Sequence, residues 1–166
     1  GILASVATIL APVLANLVRR RLKVDELTLS AGLANDHLVR LRTRRADIAV
    51  TSEIVFEAED LSRYPILTES FLLVTPKGYS GPLDDLEKLA RELPFVRFSR
   101  DTPVGLRVEQ HLSRTRVALP RSLDGDRASV VMAPVAAGNG FSILTPTLLL
   151  DGLAEGMELD VRELPI

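Results

Sequence analysis

The chain has 166 residues, 46 % of them apolar, which is enough for one sizeable core or two small lobes and places it among globular rather than disordered proteins. Twenty basic residues against twenty-two acidic ones leave a net charge of −2, so the composition offers no electrostatic footprint for nucleic acid. There is no cysteine, which removes disulfides, thiolate metal sites and a Cys nucleophile; no apolar run reaches the roughly 20 residues of a membrane helix.

Gly1 to Ser5 reads as the end of a strand. Residues Ser5 to Arg20 follow as a helix, with Val6, Ile9, Leu10, Val13, Leu14 and Leu17 on one apolar face, Ser5 as its cap and Pro12 bending it. The basic cluster Arg19 to Arg21 follows the apolar stretch, whereas a secretory signal carries its positive charge first. Leu27 to Ser30 alternates as a half-buried strand and Ala31-Gly32 is a turn. Asn35 or Asp36 caps a helix to about Arg45, with Leu38 and Leu41 inward and Arg40, Arg42, Arg44 and Arg45 outward. Asp47 to Thr51 is a compact apolar strand. Strand, helix, strand with short connections predicts a parallel βαβ unit.

Ile54 to Arg63 is polar and acidic, a surface crossing. Ile66 to Thr75 is a long extended segment ended by Pro76-Lys77-Gly78. A helix begins near Leu83, with Asp84 as its cap and Leu86, Leu89 and Leu93 inward. Phe95 to Phe98 is a strand and Ser99 to Pro103 its exit loop. Thr102 or Asp101 caps the next helix, with Pro103 at the first helical position, where proline is tolerated; Leu106, Val108 and Leu112 are its apolar residues. Pro120 to Leu123 is extended, Asp124-Gly125 is a turn, and Asp126 to Ala137 is helical. Gly138-Asn139-Gly140 then turns the chain into a buried strand, Phe141 to Leu144, stopped by Thr145-Pro146. A short helix over 147–155 and a strand from Met157 to Leu164 complete the pattern. These alternations predict an α/β chain of two Rossmann-like lobes, and open α/β lobes bind ligands outside the carboxyl ends of their strands.

The segment Val135 to Pro146 resembles the V-x-x-G-x-G-hydrophobic-P element of the effector-binding domain of LysR-type transcriptional regulators. Four other stretches are similar to that family in the same order. They are Gly1 to Ser5 with Leu10-Ala11-Pro12, Leu41 to Val50 (LRTRRADIAV), the hinge-strand stretch Leu72 to Pro76, and Leu83-Asp84-Asp85-Leu86. Arg44 stands where the family commonly has Gly, and Pro134 stands beside the usual Val. The resemblance implies a type 2 periplasmic-binding-protein-like fold, with lobe I over 1–73 and lobe II over 74–166 joined by a hinge. It implies that an N-terminal winged helix-turn-helix and a tail returning to lobe I lie outside this chain, making it truncated relative to the family. It further implies a cytoplasmic homodimer or homotetramer that reaches DNA only through that missing domain, has no cofactor and no membrane partner, and modulates transcription. Residues 5–20 are the candidate dimer face.

Ser5, Ser52, Ser99 and Thr102 stand at strand ends and helix starts, where unpaired amides and the helix dipole favour an anion. Arg100 lies in the loop after Phe95 to Phe98 and can pair with an anion bidentately. The family's matching positions line its effector pocket, so these five are the expected contacts for a small anionic metabolite between the lobes. The plainer reading is that Ser5 and Thr102 only cap helices and Arg100 is a solvated charge. His37 and His111 have no metal-ligand spacing, and the acidic run Asp84, Asp85, Glu87 reads as a helix first turn. A periplasmic-type solute-binding protein shares the two-lobe design and is the alternative. An enzyme is disfavoured because no nucleophile–base pair or carboxylate dyad has a reason to be activated.

Overall fold

The computed structural model describes residues 1–52, 60–120 and 122–165; within helices the side chains of Ser5, Asp151 and Ala154 are outside that description. The chain divides into two compact units, Gly1–Asp60 and Leu61–Ile166. By contacts the stretch 61–73 therefore joins the second unit, whereas the sequence predicts a lobe boundary between residues 73 and 74.

In the first unit β1 (Ile2–Leu3) runs parallel to β2 (Ala31–Gly32), and Val50 bridges Ile2, also in parallel. Hydrogen bonds from Ile2 N to Ser30 O (2.8 Å) and from Leu3 N to Val50 O (2.8 Å) flank β1 on both sides. The helix between the parallel β1 and β2, α1 (Ala4–Leu22), makes a βαβ connection earlier in the chain than the one expected over 27–51. It starts one residue earlier than predicted: Leu3 is the cap residue and makes no side-chain cap bond, so Ser5 lies inside the first turn.

Ala31-Gly32, expected as a turn, is instead the paired strand, and only the carbonyl of Ser30 from the expected strand 27–30 joins the pairing. His37 packs against this pairing. It sits on α2 (Ala34–Arg42), a polar helix, and is 1 % exposed, its Nε2 bonding the carbonyl of Ile2 at 2.7 Å. The ring lies over two glycines: a Cβ on Gly1 would fall 2.3 Å from Nδ1, and one on Gly32 3.3 Å from Cε1. Glycines in and beside the strands thus let a helix side chain reach the sheet backbone.

Leu33 is the cap residue of α2, so Asn35 and Asp36 occupy its first turn rather than the cap. The helix ends at Arg42, not Arg45. Arg44 takes φ of 55°, with Arg44 N bonded to Leu41 O (3.0 Å) and Arg45 N to Arg40 O (2.8 Å). This pair of bonds is the Schellman ending that ordinarily recruits glycine. Asp47 to Thr51 is reduced to one bridge at Val50, and Ile48 is 63 % exposed rather than part of a compact strand. The expected crossing 54–63 falls largely on residues 53–59, outside the described residues.

The second unit is built on β3 (Leu72–Pro76), which pairs antiparallel with both β6 (Ser142–Leu144) and β7 (Leu159–Glu163). β4 (Val96–Phe98) runs parallel to β5 (Leu123–Gly125), and a parallel bridge from Phe95 to Phe141 joins the two pieces in the order β5-β4-β6-β3-β7. The two bridging rings stack at 5.2 Å between centroids. Alternation along the strands sends side chains to opposite faces. Val74, Val96, Phe98 and Leu144 pack with α5 (Ala128–Ala136) and α6 (Pro146–Ala154). Leu73, Phe95 and Ile143 pack on the other face with α3 (Leu86–Glu92) and α4 (Pro103–Arg114).

Asp85, not Asp84, caps α3, accepting from the amides of Glu87 and Lys88. Asp124-Gly125, expected as a turn, closes β5; a Cβ on Gly125 would lie 2.9 Å from Val131, so the missing side chain lets α5 pack onto the strand. The Gly-Asn-Gly turn is as expected. Gly138 has φ of 82° and ends α5 through bonds from Gly138 N to Val135 O and Asn139 N to Pro134 O, while a Cβ on Gly140 would lie 2.6 Å from Pro94 O.

Candidate functional site

In the second unit β4, β5 and β6 are mutually parallel, so the three segments leaving them emerge at one edge of the sheet. These are Ser99–Thr102 before α4, Asp126-Arg127 before α5 and Thr145 before α6. That edge is where open α/β sheets bind ligands, because helix N-termini converge there.

The β4–α4 loop is the best-defined part. Ser99 N donates to Gly125 O (2.7 Å), tying the loop to the end of β5. The Thr102 hydroxyl donates to Ser99 O (2.7 Å) and accepts from Gly105 N (3.1 Å), so the expected cap is Thr102 rather than Asp101, and Pro103 takes the first helical position as predicted. Asp101 N approaches the Ser99 hydroxyl at 3.3 Å, which leaves that hydroxyl's proton available to a ligand. Gly105 makes the loop possible, since a Cβ there would lie 2.0 Å from Ser99 O. Ser99, Arg100 and Thr102 are therefore brought together on one short loop.

Arg100 is neither free nor isolated. Its Nη2 donates to Glu109 on α4, and Glu109 also accepts from Arg97 Nη1. Arg97 was absent from the sequence-based site. It stands mid-strand in β4, 6 % exposed, with Nη2 on the carbonyl of Leu119 (2.6 Å), its guanidinium 5.3 Å from the Phe95 ring centroid, and Nε buried with no partner among the described residues. The available signal was one permanent charge inside the apolar run Phe95 to Phe98, since an arginine there has to be paired.

In the first unit Ser5 and Ser52 follow β1 and the Val50 bridge, neighbouring parallel strands, so both lie past carboxyl ends. The Ser5 side chain is outside the described residues. The hydroxyls of Ser52 and Thr51, the latter not among the expected contacts, are buried and have no hydrogen-bond partner among the described residues. Buried polar atoms are rarely left unpaired, so both hydroxyls are open to a ligand or water.

Parallel strands that end at helix N-termini give the α/β arrangement in which small-molecule sites form outside the strands' carboxyl ends. The chain matches the LysR substrate binding domain over residues 1–166 and belongs to that family, with its type 2 periplasmic-binding-protein-like fold. A comparison with curated protein sequences gives no match. In structure the chain is similar to the effector binding domain of QuiR in complex with shikimate, with a TM-score of 0.74 and 17 % identity over 99 % of this chain and 78 % of that one. It is similar to HinK, a LysR family transcriptional regulator from Pseudomonas aeruginosa, with a TM-score of 0.74 and 19 % identity over 87 % of this chain and 50 % of that one. It is also similar to the CcmR regulatory domain of Synechocystis PCC6803 in complex with 2-PG, with a TM-score of 0.69 and 16 % identity over 99 % and 78 %. Neither the family match nor these neighbours support the solute-binding alternative. Among the described residues no helix is long and apolar enough to cross a membrane.

Proposed function

We propose that this domain senses a small anionic metabolite for a LysR-type regulator, using Ser5 and Ser52 in the first unit and Ser99, Arg100 and Thr102 in the second. The observation that carries the reading is the β4–α4 loop. It presents a spare serine proton and an exposed arginine at a helix N-terminus, on a sheet edge where three parallel strands end. The unpaired hydroxyls of Thr51 and Ser52 support it, and Thr51 joins the proposed set. Thr102 combines capping with contact, since its oxygen keeps one lone pair beyond the Gly105 amide. The complexes of QuiR with shikimate and CcmR with 2-PG support a small-molecule effector for this chain as well.

Binding would favour one conformational state in proportion to its differential affinity, and the regulator would pass that bias to an N-terminal DNA-binding domain. The domain acts by binding, not turnover, in a cytoplasmic regulator. Val13 and Leu17 on α1 are 59 % and 51 % exposed, which supports α1 as the pairing face of a homodimer or homotetramer. The test is a thermal-shift screen of carboxylate and phosphate metabolites, followed by calorimetry of the hits. The proposal requires a hit whose affinity falls at least tenfold in Ser99→Ala plus Arg100→Gln. Retention of full affinity in that double variant, or failure of every metabolite to bind, contradicts it.

A further inference from the structure

Glu109 serves two arginines with very different freedom. Arg97 is almost wholly buried, and Glu109 and the Leu119 carbonyl are its hydrogen-bond partners. Removing Glu109 from Arg97 would strand a buried cation, which is costly. The Arg100 side chain is 54 % exposed, and an exposed pair contributes little and breaks readily. The carboxylate is therefore fixed on Arg97 and shared with Arg100. A groove of about 260 Å³ is lined by all three charges together with Ser113 and Leu119, so Arg100 borders open space beside Glu109 that an anion could enter.

We infer that Glu109 is a positioning residue that holds Arg100 back along α4 until an incoming anion takes its place, so that Glu109 lowers and tunes the anion affinity of the β4–α4 loop. This rests on the effector reading above and adds a built-in competitor to it. Arg100 leaves one carboxylate for another anion, while Arg97 retains Glu109 and no buried charge is orphaned. The competitor selects against weakly charged ligands, because only an anion that outbids a carboxylate already in place captures Arg100.

Inorganic phosphate is the probe, titrated calorimetrically into the wild-type chain, Glu109→Gln, Arg100→Gln and the double variant. Gln keeps an acceptor for Arg97 but no charge for Arg100. Phosphate should bind Glu109→Gln roughly three- to fivefold more tightly than wild type, the range of an exposed ion pair, and that gain should vanish when Arg100 is also Gln. An unchanged affinity in Glu109→Gln, or an equal gain without Arg100, overturns the inference. So does failure of phosphate to bind wild type and Glu109→Gln alike, which leaves the effector reading to its own metabolite screen. Should Glu109→Gln fail to fold, the arginine Nε resonances of the wild-type chain decide. Phosphate must move that of Arg100 and leave that of Arg97 in place; movement of both or of neither refutes the role of Glu109.

Discussion

Replacing Gly105 by Ala tests whether the loop that carries Ser99, Arg100 and Thr102 is held by close backbone approach. Gly105 is the third residue of α4, and its added Cβ would lie 2.0 Å from Ser99 O and 2.5 Å from Phe98 O, where ordinary contact begins at 3.4 Å. Both neighbours are backbone, and Ser99 is anchored in turn to Gly125 and Thr102, so no flexible side-chain tip can yield. Overpacking of this kind costs about 1–3 kcal/mol, while Ala gains about 1 kcal/mol over Gly in a helix interior. With the Cβ 2.0 Å from a backbone oxygen the upper end of that cost applies, so the net loss should be about 2 kcal/mol, read by calorimetry as a fall in melting temperature of roughly 4–8 °C. The same displacement separates the Thr102 hydroxyl from its two partners, so effector affinity should fall with stability. A variant that melts at or above the wild-type temperature would show that helix propensity outweighs the contact, and the account of this loop would be wrong.

Arg44 and Arg116 both hold the left-handed backbone that closes a helix, at φ of 55° and 58°, so Arg44→Gly and Arg116→Gly should each stabilise by about 0.5–1 kcal/mol in urea unfolding. Glu109→Leu leaves Arg97 buried without its carboxylate and should cost about 3–5 kcal/mol by the same measurement, far more than Arg100→Gln, which removes only an exposed partner. Burial, then the hydrogen bond to Glu92, pushes the Tyr79 phenol up to about 12. A raised folded pKa gives stability that is complete below the unfolded value near 10 and is lost as pH rises toward 12, so Tyr79→Phe should flatten the stability–pH curve in that window.

The second unit was the more legible because its strands are apolar and its helices carry their own stops. The Thr102 cap, Pro103 at the first helical position and Gly138 at the end of α5 all follow from local chemistry that tertiary contacts do not override. Asp124-Gly125 misled because Gly125 is small to admit α5, not to turn the chain. The first unit was harder to read. Its strands are two residues long, too short for any alternation to register, and the close approach of the His37 ring to Gly32 has no sequence signal. Of the candidate site, the strand-end hydroxyls could be found from position alone. The Arg97–Glu109–Arg100 arrangement could not, because the partners lie on different elements and the decisive quantity is the burial of Arg97.

Backbone amide spectra recorded with and without a metabolite that stabilises the chain test the binding claim most directly. The account predicts shifts concentrated at Thr51, Ser52 and Ser99 through Gly105, with α3 and β7 unmoved. Shifts confined to α3, β7 or the exposed face of α1, with the strand-end loops silent, would contradict it.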